Sequence, residues 1–169
     1  MYIQIDLIKD NSNQISKDIQ ETEVRTINRM ASEAKSYAIK ELSQERGFPS
    51  QELDKVIKIE EASKSGLFAF IKSQSKRIPI LKLGATQTSK GVQFSLGQPK
   101  EIKSAFIASM KSGHRGVFKR IGKKRLPIKE LFTLSISEYL GTREMTTKID
   151  NFIKKRLPEI FSEEMSKNG

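Results

Sequence analysis

His114 is the only histidine in a chain of 169 residues, and it lies among cations in Lys111-Ser112-Gly113-His114-Arg115-Gly116. An imidazole that titrates near neutrality could act as the general base of a nuclease, but such a centre also needs carboxylates to hold a divalent metal. From Ile71 to Lys129 there is one acid, Glu101, against 15 Lys or Arg. A second histidine for a helical zinc pair is missing, and the absence of cysteine removes thiolate ligands and disulfides alike. Neither a Gly-x-Gly-x-x-Gly or Walker-type phosphate loop nor a Gly-x-Ser-x-Gly elbow occurs. Glu33, Glu41, Glu45, Glu60, Glu61, Glu163 and Glu164 have Lys and Arg neighbours on helix faces, which marks them as solvated ion-pairing surface rather than as an acid and base pair. The expectation is a protein that is not an enzyme, with no catalytic residue, metal or cofactor, and with His114 hydrogen-bonded in its loop.

Positive charge is what the sequence does concentrate. The net charge is +11, and the excess belongs to residues 71–129, the remainder being slightly acidic. A block of one sign favours an anionic partner: nucleic acid, an acidic protein face or a membrane surface. Its densest part is Lys119-Arg120-Ile121-Gly122-Lys123-Lys124-Arg125. Such a run binds phosphate by charge and counterion release, or serves as a solvated loop that keeps the chain from aggregating, and the residues leave both open. Phe118 is the one aromatic beside the run, so a stacking platform for single strands is not expected. A helix-turn-helix with a basic second helix is not visible either, because the bases fall on expected strands and loops. Phe94, Phe106, Phe118 and Phe132 are expected to be core.

The elements that would carry these residues follow an α+β order within a single domain, residues 1–169. Tyr2 to Ile8 alternates like a short strand or arm, and Asp10-Asn11-Ser12-Asn13 offers N-cap oxygens for a long helix over 13–46. Its apolar stripe of Ile19, Ile27, Met30, Ala31, Ala34, Ala38 and Leu42 is rich in alanine, which would let another element approach the backbone closely. Gly47 should end it before a short helix at Gln51 to Lys55. Residues 56–132 read as a basic β-rich part, with strands at Val56 to Ile59, Leu67 to Ile71 and Ile78 to Leu83. Two hairpins follow: one around Ser89-Lys90-Gly91, with glycine where φ must be positive, and one around Ser112-Gly113-His114-Arg115, with Gly113 and Gly116 permitting the turn. His114 and Arg115 would be displayed at its tip. Leu126-Pro127-Ile128 should be extended, and 135–165 helical, broken at Gly141-Thr142 and kinked or ended early by Pro158. The architecture expected is a long N-terminal helix packed on an antiparallel sheet with β-hairpins, closed by a C-terminal helix. No run of about 18 apolar residues exists, and the N-terminus lacks signal-peptide order, so a cytoplasmic protein without membrane association is expected unless it leaves inside a particle.

Ala105-Phe106-Ile107-Ala108-Ser109-Met110-Lys111-Ser112-Gly113-His114-Arg115-Gly116-Val117-Phe118-Lys119-Arg120, followed by Arg125-Leu126-Pro127-Ile128-Lys129-Glu130-Leu131-Phe132, resembles the minor tail protein Z family of tailed phages and prophages. The likeness extends more loosely to Ile27-Asn28-Arg29-Met30-Ala31 and Ile78-Pro79-Ile80-Leu81-Lys82-Leu83. The resemblance implies a structural minor tail or tail-completion component in the virion. It would be assembled in the host bacterial cytoplasm and act at the head-proximal end of the tail during head-tail joining. Implied partners are the tail terminator and other tail or connector proteins, with homo-oligomerisation on the particle, and the DNA end as a further possible contact. His114, Arg115, Lys119, Arg120, Lys123, Lys124 and Arg125 are the candidate partner-binding residues. The rival expectation is a sequence-independent DNA-binding protein using the 71–129 block.

Overall fold

The computed structural model describes residues 2–6 and 17–167. Strand β1 (Tyr2–Asp6) is followed by helix α1 (Lys17–Arg46). The expected continuation of the strand to Ile8, the capping run Asp10 to Asn13 and the helix start near residue 13 lie outside the described residues. Ile27, Met30, Ala31, Ala34, Ala38 and Leu42 are all buried, so the apolar stripe is the inner face of α1. A positive φ of 68° at Gly47 ends the helix as its composition requires, and the short helix α2 (Ser50–Val56) begins after Phe48-Pro49.

Strands β2 (Ile57–Glu60) and β3 (Phe68–Ser73) pair antiparallel, with β1 on the other side of β3. This three-stranded sheet is the one α1 lies on, and Ile57, Ala69 and Ile71 face the helix-side core. The expected strand from Ile78 to Leu83 is only half a strand: β4 (Arg77–Pro79) gives way to a 3-10 turn over Ile80–Leu83. Pro79 introduces the change, and Ile80 and Leu83, three apart, are both buried by the turn.

β5 (Thr86–Gln87), β6 (Gly91–Leu96) and β7 (Gln98–Lys103) form a second antiparallel sheet, and β7 is not legible as a strand because every side chain but Pro99 and Ile102 is polar and none is buried. Gly91 does not have the positive φ expected of it; it is buried in β6, where a Cβ would collide with the carbonyl of Ile102 on β7. The positive φ, 72°, belongs to Gly97 at the β6–β7 turn, where a Cβ would run into the carbonyl of Glu45 at the end of α1. That turn is therefore seated against the helix terminus. A third sheet has the order β10-β9-β8, from β8 (Ala105–Ser109), β9 (Arg115–Arg120) and β10 (Ile128–Glu130), and β11 (Phe132–Ser135) pairs with β4. Phe94 and Phe118 are buried as expected and Phe106 is half-buried, but Phe132 is 44% exposed, because on β11 it is Thr133 and Ser135 that turn inward.

Ser135 caps α3 (Ile136–Leu140) in a reciprocal box with Glu138, whose carboxylate accepts from the Ser135 amide at 2.7 Å. These hydrogen bonds, the hydroxyl's first, hold the Glu138 carboxyl below its ordinary value. Thr142 then caps α4 (Arg143–Ser166), which runs through Pro158 instead of ending there. Leu157 and Ile160 on either side of the proline pack on the core, and that packing offsets the hydrogen bond Pro158 cannot make.

The two long helices lie antiparallel, as the order of their contacts shows. Arg29 meets Glu163 and Glu164, Glu33 meets Arg156, the rings of Tyr37 and Phe152 stack with centroids 4.4 Å apart, and Glu41 and Glu45 meet Lys148. Glu164 is not the solvated surface carboxylate its sequence neighbours suggested. It is 4% exposed and held by Arg29 at 3.0 Å and Lys167 at 2.7 Å, with Arg25 at 3.5 Å.

Candidate docking face on the basic strands

The β8–β9 hairpin sets the geometry of the site. Phe106 pairs with Phe118 and Phe118 with Glu130, so these three form one row across the sheet. His114, just before β9, folds back over this row. Its Nε2 lies 3.0 Å from a Glu130 carboxylate oxygen, and its ring meets Phe118 edge-on at 6.4 Å. Gly113 makes the turn with φ 82°, whereas Gly116 lies within β9, where its missing Cβ leaves room for the Glu130 carboxylate. The expectation that both glycines serve the turn is corrected; His114 is exposed while its ring nitrogen meets Glu130. The imidazole is a fastener between hairpin and β10. Glu130 was overlooked because it follows the last lysine of the basic block by one residue.

Arg115, Lys119, Arg120, Lys123, Lys124 and Arg125 are all exposed. Their arrangement carries a cost. Lys119 stands directly opposite Lys129 in the β9–β10 pairing, and like charges in that position destabilise a sheet. Neither lysine has an ion-pair partner among the described residues, nor do Arg115, Arg120, Lys123, Lys124 and Arg125. Arg120 instead places its guanidinium 5.4 Å from the centre of the Phe106 ring. Of the cations between residues 71 and 129, only Lys72, with Glu60, and Lys82, with Glu52, form ion pairs among the described residues.

The helical layer is the opposite case. Arg156 bonds Glu33, Glu159 and Glu163, Arg29 bonds Glu33, Glu163 and Glu164, and Lys148 bonds Glu41, Glu45 and Glu144. Charge is thus paired across the α1–α4 seam and left bare on β9, its following loop and Lys129. Between β9 and β10 the chain makes an exposed loop closed by a 3.1 Å hydrogen bond from the Ile121 amide to the Pro127 carbonyl, with a cis Leu126-Pro127 bond. Ile121 and Leu126 in this loop are 68% and 66% exposed.

Among the described residues no group of His, Asp or Glu is arranged to hold a metal, and no helix is long and apolar enough to cross a membrane. The His114–Glu130 pair is a single imidazole against a single carboxylate. Fold and site together define an α+β protein whose distinctive surface is an uncompensated cationic face, the kind of surface by which structural proteins dock on anionic partners. The chain belongs to the prophage minor tail protein Z family, whose model matches residues 7–168. It is thereby a structural protein of the phage tail. No curated protein and no solved structure matches the chain.

Proposed function

We propose that this protein is a tail-completion component that acts at the head-proximal end of the tail, docking through its basic strands during assembly and head-tail joining. It does so without catalysis, as a homo-oligomer in contact with the tail terminator and other tail or connector proteins, assembled in the host cytoplasm and retained in the virion. The observation that carries the docking part is the cationic face left unpaired while charges across the α1–α4 seam are paired, since folding alone gives no reason to set Lys119 opposite Lys129. Family membership supports the tail setting.

Reversing Lys123, Lys124 and Arg125 to Glu together tests it. Heads and tails should accumulate unjoined while the purified variant keeps the wild-type thermal midpoint, because the loop is exposed and its three side chains support no core residue. Normal yields of infectious particles would remove the case for this loop.

The same bare cations also favour a second reading, sequence-independent DNA binding. Its signature is duplex affinity that falls with salt at a slope of about −0.9 per phosphate contacted. No duplex binding at low salt would dispose of it.

A further inference from the structure

We infer that the loop between β9 and β10 binds an acidic protein surface, with Ile121 and Leu126 as apolar anchors inside a cationic rim, rather than a phosphate backbone. The inference rests on the docking role proposed above and names the class of partner. Ile121 and Leu126 are the most exposed large hydrophobic side chains among the described residues, and they bracket Lys123, Lys124 and Arg125. Neither belongs to the core or packs on it.

A surface made only to hold phosphate gains nothing from two bare aliphatic side chains, because its affinity comes from charge and counterion release. A protein interface uses them: apolar anchors enter desolvated pockets, and charged groups around them set approach and register. The charge on this face decides the sign of the partner. Lys119 and Lys129 already repel each other within one chain, and Arg120, Lys123, Lys124 and Arg125 are unpaired, so the same face of a second copy would be repelled in turn. The occupant must bring carboxylates and an apolar pocket.

The loop is also shaped in advance. The Ile121 amide to Pro127 carbonyl bond closes it, the β9–β10 ladder holds its stems, and the His114–Glu130 contact ties β10 to the β8–β9 turn. Less ordering is then required on binding.

The test uses tails assembled without this protein, with the purified full chain added and co-sedimentation measured across a salt series. Two variants are compared with the wild type: Ile121→Ser with Leu126→Ser, which keeps every charge, and Lys123→Gln with Lys124→Gln and Arg125→Gln, which keeps both anchors. Parallel arms replace tails with a short duplex DNA and with phosphatidylglycerol vesicles. The double-serine variant should bind tails at least about tenfold more weakly at every salt concentration, with an unchanged melting midpoint. The glutamine variant should lose affinity mainly at low salt.

Equal retention of the wild type and the double-serine variant on tails would overturn the inference and leave the tail role standing. A loss of duplex or vesicle binding in the double-serine variant, with tail binding unaffected, would overturn it in favour of that partner. Failure of the wild type itself to bind tails would overturn the docking role and this inference with it.

Discussion

At the scale of single residues, some side chains sit where folding alone would not put them. Lys119 opposite Lys129 is the clearest. Lys129→Glu should raise stability by about 0.5 kcal/mol in urea unfolding, since an opposite pair replaces a like one, while weakening attachment to tails. A variant both less stable and fully active would show that the pair has no docking role. Gly97 makes the converse point. With φ at 72° and the Glu45 carbonyl in the way of a Cβ, Gly97→Ala should cost about 2 kcal/mol or more, detectable as a lowered melting midpoint, through strain and a displaced turn. The sequence showed that glycines punctuate this region but not which needs a positive φ. Gly91 was assigned it because it follows Ser89-Lys90, yet its role is set by β7, a strand whose polar composition concealed it. The partner of His114, Glu130, is fixed by strand register, which residue types alone do not supply.

At the scale of elements, the long helices were legible and their pairing was not. The stripe from Ile27 to Leu42 announced α1, and the run from Ser135 to Leu140 read as the start of a helical part. Which charges of α1 meet which of α4 depends on the antiparallel docking of two helices whose paired residues lie more than a hundred positions apart in the chain. The Glu164 carboxyl is held below its ordinary value, by Lys167 first and then Arg29, and Glu163 likewise by Arg156 first and then Arg29. A depressed carboxylate contributes its stability above the unfolded value, about 4.3 for glutamate, and loses that contribution as pH falls through the folded value. Thermal midpoints should therefore be flat from neutral pH to about 5 and decline below about 4. Glu164→Ala should lower stability by about 2 kcal/mol, less than the loss of a fully buried pair because Arg29 keeps Glu163, and should shrink the acid dependence. An unchanged pH profile in that variant would show that the network does not govern acid stability.

Across the whole molecule, two layers divide the charge. The α1–α4 seam pairs the charges that meet across it, and β9 with its following loop presents unpaired cations. This segregation was visible in the sequence as a basic block between residues 71 and 129, and the α+β order was readable from the change of hydrophobic period after Lys55. What could not be read is that Glu52 and Glu60, outside the block, reach only Lys82 and Lys72 within it, leaving the β9–β10 end bare. Nor could the sequence distinguish a bare cation from a paired one. On the function proposed above, this face works on the particle, at the end of the tail that receives the head. Electron microscopy of virions carrying a small tag on the C-terminus, which lies beyond α4 and far in sequence from the basic loop, tests it most directly. The account expects label at the head-tail junction of mature particles and its loss, together with the heads, in the Lys123→Glu, Lys124→Glu, Arg125→Glu variant. Unlabelled virions, or label confined to the distal tip, would contradict it.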